Sequence, residues 1–261
     1  LRRRISPFLM RRLKKEVLTE LPDKIESVFT AQMSPEQAKV YEATMMRLRQ
    51  RVDSIVKEKG FERGRTEVLA AITQLREICC HPSLVLDDYT GTSGKLDMLL
   101  DMLPEAIAKG RRVLLFSAFT SMLKILRREL DDAGYETMYL DGDTPAQRRV
   151  EMAEQFNAGQ GQIFLISLKA GGTGLNLTGA DMVIHYDPWW NPAAEDQATD
   201  RAYRIGQTRK VEVIRLVTHA SIEEQVVALG QRKKALFDQL IKPGESMVGG
   251  LSPQEIMSLF Q

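Results

Sequence analysis

Two arginines and a glutamine have a spacing that suits the binding of a phosphorylated ligand. Gln197, Arg201 and Arg204 fall within one predicted helix. Residues three or four apart lie on the same side of a helix, so the three side chains would point the same way. Two guanidiniums and an amide aimed together suit a triphosphate whose charge spreads during transfer. The alternative is a solvated helix face with Glu195 and Asp200 as salt-bridge partners.

A glycine-rich loop precedes these residues. It runs from Lys169 to Gly174 and reads Lys-Ala-Gly-Gly-Thr-Gly. Glycines let a backbone approach a phosphate, successive N–H groups can point at one anion, and Thr173 adds a hydroxyl. A plain tight turn is the alternative, because the loop does not fit the G-x-x-x-x-G-K-[ST] pattern. The segment from Gly91 to Lys95 also fails that pattern, so we expect no phosphate binding there.

Two adjacent tryptophans form the third feature. Trp189 and Trp190 lie in a loop bounded by Pro188 and Pro192. A loop offers little cover for two indoles, and an exposed indole can stack on bases or wedge against sugars. The alternative is an indole packed beneath the loop as a lid on the core. We expect one tryptophan of each kind.

Composition limits the function classes. Hydrophobic residues make up 43% of the 261 residues and the net charge is +1, so a nucleic-acid surface would have to be a local basic patch. Residues 1–15 are such a patch, with seven basic residues and no acid; they could track phosphates or brace another domain. No apolar run is long enough to span a bilayer, so no membrane partner is expected.

The cysteine and histidine content argues against a metal site. Cys79, Cys80 and His81 are adjacent and lack the spaced pairs that zinc sites use. Neighbouring cysteines rarely form a structural disulfide, so a reducing compartment is expected. The end of a helix before Pro82 is the better interpretation of this run.

The elements that position these residues change character near residue 90. Before it, Ser34 predicts a helix start, and two stripes of apolar residues continue at helical spacing as far as residue 78. Gly60 and Gly64 predict an interruption between the two helices. A candidate strand covers residues 25–32.

After a polar loop at 87–94, short apolar runs alternate with amphipathic helices. The predicted strands are 112–117, 137–141, 162–167, 182–186 and 212–217. The predicted helices are 96–109, 121–133, 145–157, 192–204 and 222–240, with a short helix in the tail after residue 250. This alternation predicts an α/β fold with a parallel sheet and helices on both faces. Ligands of such sheets bind at the carboxyl ends of strands, where the glycine loop and the tryptophan loop lie.

Nearly the whole chain resembles the Swi/Snf family of helicase-like ATPases, which are superfamily 2 DNA translocases. The segments that resemble its motifs, in the family's order, are 113–122, 139–144, 167–177, 187–192 and 197–207. Segments 9–17 and 75–82 resemble the family's sequences between its two lobes. The resemblance implies a C-terminal RecA-like lobe preceded by a helical protrusion, and the compact ending is similar to bacterial members. Ala118 and Tyr203 replace a glutamine and a histidine that are common in the family, and neither change removes a charge.

The resemblance also implies roles for single residues. Arg201 and Arg204 would be arginine fingers that reach ATP on the other lobe, with Gln197 in the same catalytic motif. Gly172, Thr173 and Gly174 would sense the nucleotide. The residues expected to contact DNA are Ser117, Thr120, Ser167, Lys169, Gly171, Gly172, Thr173, Trp190 and Asn191.

The function implied is ATP hydrolysis coupled to translocation along double-stranded DNA in an intact parent protein. The sequence contains no phosphate-binding lysine loop and no acidic box, so ATP with Mg²⁺ would be bound mainly by an N-terminal RecA-like lobe of the same chain. This fragment alone is expected to be inactive. Two alternatives stay open: a nucleic-acid or protein-binding module that does not hydrolyse ATP, and an RNA helicase lobe.

We expect three regions: residues 1–90 as a basic inter-lobe segment with the helical protrusion, 91–241 as the RecA-like lobe, and 242–261 as a short tail with a helix. Duplex DNA, the N-terminal lobe and recruiting proteins are the expected partners. The expected location is the cytoplasm, associated with the nucleoid, for a bacterial protein and the nucleus for a eukaryotic one.

Overall fold

The computed structural model describes residues 21–170, 174–240 and 253–260, and the strands in these ranges form one parallel sheet. The strands are β1 (Lys24–Ala31), β2 (Val113–Ser117), β3 (Thr137–Leu140), β4 (Ile163–Ser167), β5 (Met182–His185) and β6 (Val211–Thr218). Their order across the sheet is β1-β6-β5-β2-β4-β3, and every neighbouring pair is parallel. The predicted parallel α/β fold is confirmed, and the five strands predicted after residue 90 are each correct to within one residue at either end.

Helices cover both faces of the sheet. The helices of the described ranges are α1 (Pro35–Lys59), α2 (Phe61–Cys80), α3 (Gly94–Ala108), α4 (Thr120–Asp132), α5 (Ala146–Asn157), α6 (Pro192–Thr199), α7 (Ile222–Leu240) and α8 (Pro253–Ser258). Alternate residues of a strand point to opposite faces, so Leu115 packs with α3 and α4 while Phe116 packs with α5. Within these ranges no helix is long and apolar enough to cross a membrane.

The candidate strand at 25–32 is confirmed as β1, which lies at the edge of the sheet. It pairs with β6 in a register that joins Lys24 to Val211 and Ala31 to Thr218. The segment before residue 90 therefore contributes to the same sheet as the segment after it, which its helical pattern did not predict. The division into regions at residue 90 stays a prediction.

Helices α1 and α2 form an antiparallel hairpin. The hydroxyl of Ser34 accepts from the backbone N–H of Gln37 at 3.2 Å, which confirms the predicted start of α1. The chain turns at Gly60, where φ is 75°. Gly64 lies inside α2, so the expectation that it interrupts the helix is wrong. A Cβ at Gly64 would lie 2.4 Å from Cγ2 of Ile55, and glycine therefore permits the close approach of the two helices.

The hairpin packs on the end of the chain that follows β6. Apolar residues of both hairpin helices form a buried cluster with residues of α7 and α8, among them Leu48, Leu75, Val226 and Ile256. The backbone N–H of Ile222 donates to the Tyr41 hydroxyl at 2.7 Å. The tail helix expected after residue 250 is confirmed as α8, and residues 241–252 lie outside the described ranges.

Candidate functional site

Three predicted site segments meet where adjacent strands end. Strands β5, β2 and β4 are neighbours in the sheet, and the last residues of β2 and β4, Ser117 and Ser167, pair in register. Beyond the register, the backbone N–H of Leu168 donates to the Ser117 carbonyl at 2.8 Å and that of Tyr186 donates to the Phe116 carbonyl at 2.9 Å. The start of the glycine loop, the loop after β2 and the tryptophan loop therefore leave the sheet side by side.

Asp187 joins two of these loops and helix α2. It is 2% exposed. Its carboxylate accepts from the Ser117 hydroxyl, from the backbone N–H of Ala118 at 3.1 Å and from Nη2 of Arg76 at 3.1 Å. Sequence reasoning assigned no role to Asp187 or Arg76. The sequence feature that could have indicated a role for Arg76 is its position on the apolar stripe of α2, directly after Leu75.

The tryptophans surround the Arg76 guanidinium. Its carbon lies 5.1 Å from the ring centroid of Trp189, 5.2 Å from that of Trp190 and 5.2 Å from that of Phe119. The two indoles contact each other edge to face, with centroids 6.0 Å apart. Both are half-buried, so the expectation that one tryptophan is packed away beneath the loop is wrong, and the use of the other by a partner stays a prediction. The guanidinium gives both indoles a common support that the loop alone would lack.

The helix that was predicted to carry both arginines ends before them. Helix α6 stops at Thr199, and the chain then turns through residues 200–206. Arg201 is 7% exposed, whereas Gln197 and Arg204 are exposed, so the three side chains do not share one helix face. The prediction of a helix through Arg204 is therefore wrong.

The turn is held by hydrogen bonds from Leu177 and from Gln207, the residue that directly follows it. The carbonyl of Arg201 accepts from the backbone N–H of Leu177 at 2.9 Å, in place of a donor further along a helix. The side-chain amide of Gln207 donates to the carbonyls of Ala180 at 2.7 Å and Ala202 at 3.1 Å. These tertiary hydrogen bonds compete with the helical ladder and decide the conformation.

The Arg201 side chain is buried, and the nearby charge of Asp200 offsets the cost of this burial only in part. Across the described ranges neither Arg201 nor Arg204 forms an ion pair with a carboxylate, and Nε of Arg201 has no hydrogen-bond partner there. Burial, followed by the positive charge of Arg204, lowers the pKa of Arg201. Glu195 pairs with Arg215 at 2.8 Å, so it is not the salt-bridge partner that the alternative required. A buried cation in this state is stabilised when an anion binds beside it.

The arginine turn lies against the end of the glycine loop. Nη1 of Arg204 is 3.5 Å from the carbonyl of Gly174, and Gly174 has a positive φ of 55°. Gly174 is exposed, and Gly171, Gly172 and Thr173 lie outside the described residues. The structure therefore brings Arg204 to one end of the predicted phosphate loop.

The other predicted DNA contacts divide into exposed and buried residues. Thr120, Lys169 and Asn191 are exposed, and the Asn191 side chain also caps α6. Ser117 is 1% and Ser167 2% exposed. Both serines lie inside the protein at the end of a buried strand, and the Ser117 hydroxyl donates to Asp187. Their contact with DNA stays a prediction.

Lys95 and the cysteines have internal roles. Nζ of Lys95 donates to Glu223 at 2.7 Å and to the carbonyl of Tyr186 at 2.9 Å, and both charged side chains are fully buried. Cys79 and Cys80 are buried free thiols, and burial raises the pKa of each. Throughout the part of the chain that is described, no group of three or more His, Cys, Asp or Glu side chains could hold a metal ion.

The sheet, and the loops that gather where its strands end, define a RecA-like α/β lobe of the helicase type. The Helicase conserved C-terminal domain matches residues 94–206, and the SNF2-related domain matches residues 1–84. The chain belongs to the Swi/Snf, or SNF2-related, family, as its motifs predicted.

Curated relatives and solved structures agree with this assignment. The chain is 39% identical over 264 residues to the putative ATP-dependent helicase/translocase YwqA of Bacillus subtilis, covering 98% of this chain and 28% of that protein. It is 37% identical to the chromatin structure-remodeling complex subunit snf21 of Schizosaccharomyces pombe, covering 92% of this chain and 21% of that one. The Sulfolobus solfataricus SWI2/SNF2 ATPase core in complex with dsDNA matches with a TM-score of 0.73 and 34% identity, over 99% of this chain and 55% of that chain. The chain thus spans about a quarter of the length of the curated relatives it matches.

Proposed function

We propose that this chain is the C-terminal motor lobe of an ATP-dependent translocase that moves along double-stranded DNA. In this proposal, closure against an N-terminal lobe of the same protein places Arg201 and Arg204 at the triphosphate. The observation that carries the proposal is the buried Arg201 guanidinium, which lacks a carboxylate partner across the described ranges. Relatives named as ATP-dependent helicases support ATP as the anion.

The nucleotide would be held by groups of different kinds. Arg201 and Arg204 supply fixed positive charge, and the exposed Gln197 supplies an amide on the preceding helix. When bound, Mg²⁺ neutralises charge between the phosphates and is coordinated by oxygen ligands. Since no acidic cluster within the described ranges fits a metal, we assign the Mg²⁺ ligands to the N-terminal lobe. The C-terminal lobe would act by positioning the phosphates and supplying positive charge, without a covalent intermediate.

The DNA surface would lie along the same end of the sheet. Lys169 and Thr120 are exposed beside the ends of β4 and β2, and the tryptophan loop follows β5. Lysine and threonine contact phosphates, while an indole such as Trp190 can stack or wedge against the strand. The dsDNA complex of the Sulfolobus solfataricus relative supports duplex DNA as the ligand.

Substitution of the arginines in the full-length protein tests the proposal. Arg201→Ala and Arg204→Ala should each lower the ATP hydrolysis rate by about 10³–10⁵-fold, because an arginine finger meets charge that develops during transfer. Duplex affinity should stay within a factor of about two of the unsubstituted protein. Arg209→Ala is the matched control, because Arg209 is half-exposed and pairs with Asp181 at 3.2 Å.

Two results would contradict the arginine-finger role. A loss of hydrolysis below about tenfold would show that the turn has only a structural role. A parallel loss of duplex affinity would make the arginines phosphate contacts to DNA.

A further inference from the structure

Arg76 is an almost fully enclosed charged residue that contacts the tryptophan loop. It is 1% exposed, and its Nη2 donates to Asp187 at 3.1 Å and to the carbonyl of Pro188 at 2.7 Å. Its Nε has no hydrogen-bond partner among the described residues. Burying a guanidinium is costly, so the surroundings must compensate both its charge and this free N–H.

Three aromatic rings supply the rest of that compensation. Trp189, Trp190 and Phe119 all have centroids within 5.2 Å of the guanidinium carbon, which is the range of cation–π attraction. Phe119 comes from the loop after β2, whereas the tryptophans come from the loop after β5. The guanidinium is therefore the common neighbour of two loops on which the proposed DNA surface depends.

The planar shape of the guanidinium matters for this arrangement. Arginine can stack its faces on rings while its edge donates to a carboxylate, but the compact ammonium of lysine cannot do both. The edge of Arg76 donates to Asp187, which also accepts from Ser117 and Ala118 at the start of the neighbouring loop. The backbone of Trp189 is held separately, through its N–H to Glu195 at 2.7 Å. Arg76 thus acts on the indole rings, and Glu195 on the backbone.

We propose that Arg76 is a positioning residue for the DNA contact: it holds both indoles in one orientation, so that Trp190 meets the duplex already aligned. This role rests on the proposed function of the tryptophan loop. A buried ion pair with Asp187 would need only the positive charge of Arg76. The positioning role also requires the planar guanidinium, on which the orientation of the indoles depends.

The test compares Arg76→Lys with Arg112→Lys in the full-length protein. Arg112 is a suitable control because its guanidinium also stacks on a ring, 3.9 Å from the Phe156 centroid, but it lies before β2, at the other end of the sheet. Both proteins carry 5-fluorotryptophan. The ¹⁹F resonances of the two loop indoles are assigned with Trp189→Phe and Trp190→Phe variants.

Arg76→Lys is expected to shift both indole resonances beyond their linewidth and to weaken duplex binding by roughly tenfold, the scale of one lost aromatic contact. Arg112→Lys should leave both resonances and the affinity as they are. Unchanged indole resonances in Arg76→Lys would overturn the proposal, and so would shifted resonances with full duplex affinity.

A milder variant keeps the test decisive if Arg76→Lys does not fold. Phe119→Leu removes one ring around the guanidinium and should shift the same two resonances with a smaller loss of affinity. Unchanged resonances in that variant would also overturn the proposal. A full-length protein that binds no duplex or hydrolyses no ATP would contradict the proposed function, while the fluorine comparison would still test Arg76 by itself.

Discussion

Replacing Lys95 with methionine should destabilise the fold strongly without affecting nucleotide binding. Lys95 ends the segment that resembles a phosphate loop only superficially, and its ammonium is fully buried against Glu223 at 2.7 Å and the Tyr186 carbonyl at 2.9 Å. In Lys95→Met the Glu223 carboxylate still accepts a hydrogen bond from the backbone N–H of Thr218, at 2.9 Å, but no longer has a cation beside it. Removing one partner of a buried ion pair typically costs about 3–5 kcal/mol, and we expect a loss in that range.

A second substitution separates the ion pair from simple packing. Glu223→Gln replaces the carboxylate by an amide whose oxygen can still accept from Thr218. The two single substitutions each lower the free energy of unfolding. The double variant Lys95→Met with Glu223→Gln should lose roughly 2–3 kcal/mol less than the sum of these two losses.

Urea unfolding followed by far-ultraviolet circular dichroism measures these losses at a common m-value. Lys109→Met is the control, because Lys109 pairs with Glu105 on the surface of the same helical segment and should give no measurable change. A loss below about 1 kcal/mol in Lys95→Met, or strictly additive single losses, would refute this explanation. Lower nucleotide affinity at unchanged stability would show that the segment binds phosphate after all.

Three further predictions concern the loop, pH and the isolated chain. Trp190→Ala should keep basal ATP hydrolysis in the full-length protein but lose translocation, because stacking of one aromatic ring contributes about 1–3 kcal/mol to the binding of DNA. A lowered melting temperature with normal stepping per folded molecule would instead make Trp190 a core residue. Burial, then the charge of Arg215, lowers the pKa of His185 to about 3. Only the unfolded chain therefore takes up this proton as the pH falls from about 6.5 towards about 3, and His185 should weaken folding by up to about 1.4 kcal/mol per pH unit in that window. Thermal melts from pH 7 to pH 4 should show a shallower decline for His185→Gln than for the surface variant His219→Gln; equal slopes would contradict this. The 261-residue chain alone should hydrolyse no ATP above background, because its sequence has no lysine-containing phosphate loop; turnover that is lost in Arg204→Ala would contradict that.

The sheet could be predicted from sequence because its information is local. Runs such as Leu114–Phe116 and Phe164–Ile166 are apolar on both faces, as strands buried between two layers of helices must be. Parallel strands also end on the same side, so the loops that carry the candidate site could be placed together without knowing the strand order.

The details that failed depend on partners distant in sequence. The helical spacing of Arg201 and Arg204 favoured a longer α6, but the backbone N–H of Leu177, which lies before β5, donates to the Arg201 carbonyl that would continue the helix. The burial of Arg76 depends on Asp187, which lies 111 residues further along the chain. No local pattern reveals such a pairing. A charged residue on an apolar helix stripe shows only that some compensating partner exists.

The rate of ATP hydrolysis by the full-length protein, with and without nucleic acid, tests the central claim most directly. A translocase that moves along double-stranded DNA should hydrolyse ATP faster when duplex DNA is added, and an RNA strand of the same length should have no such effect. Arg201→Ala should abolish the stimulated rate while the duplex still binds. Duplex binding without any ATP hydrolysis would identify a binding module, and stimulation by RNA alone would identify an RNA helicase; either result would contradict the account.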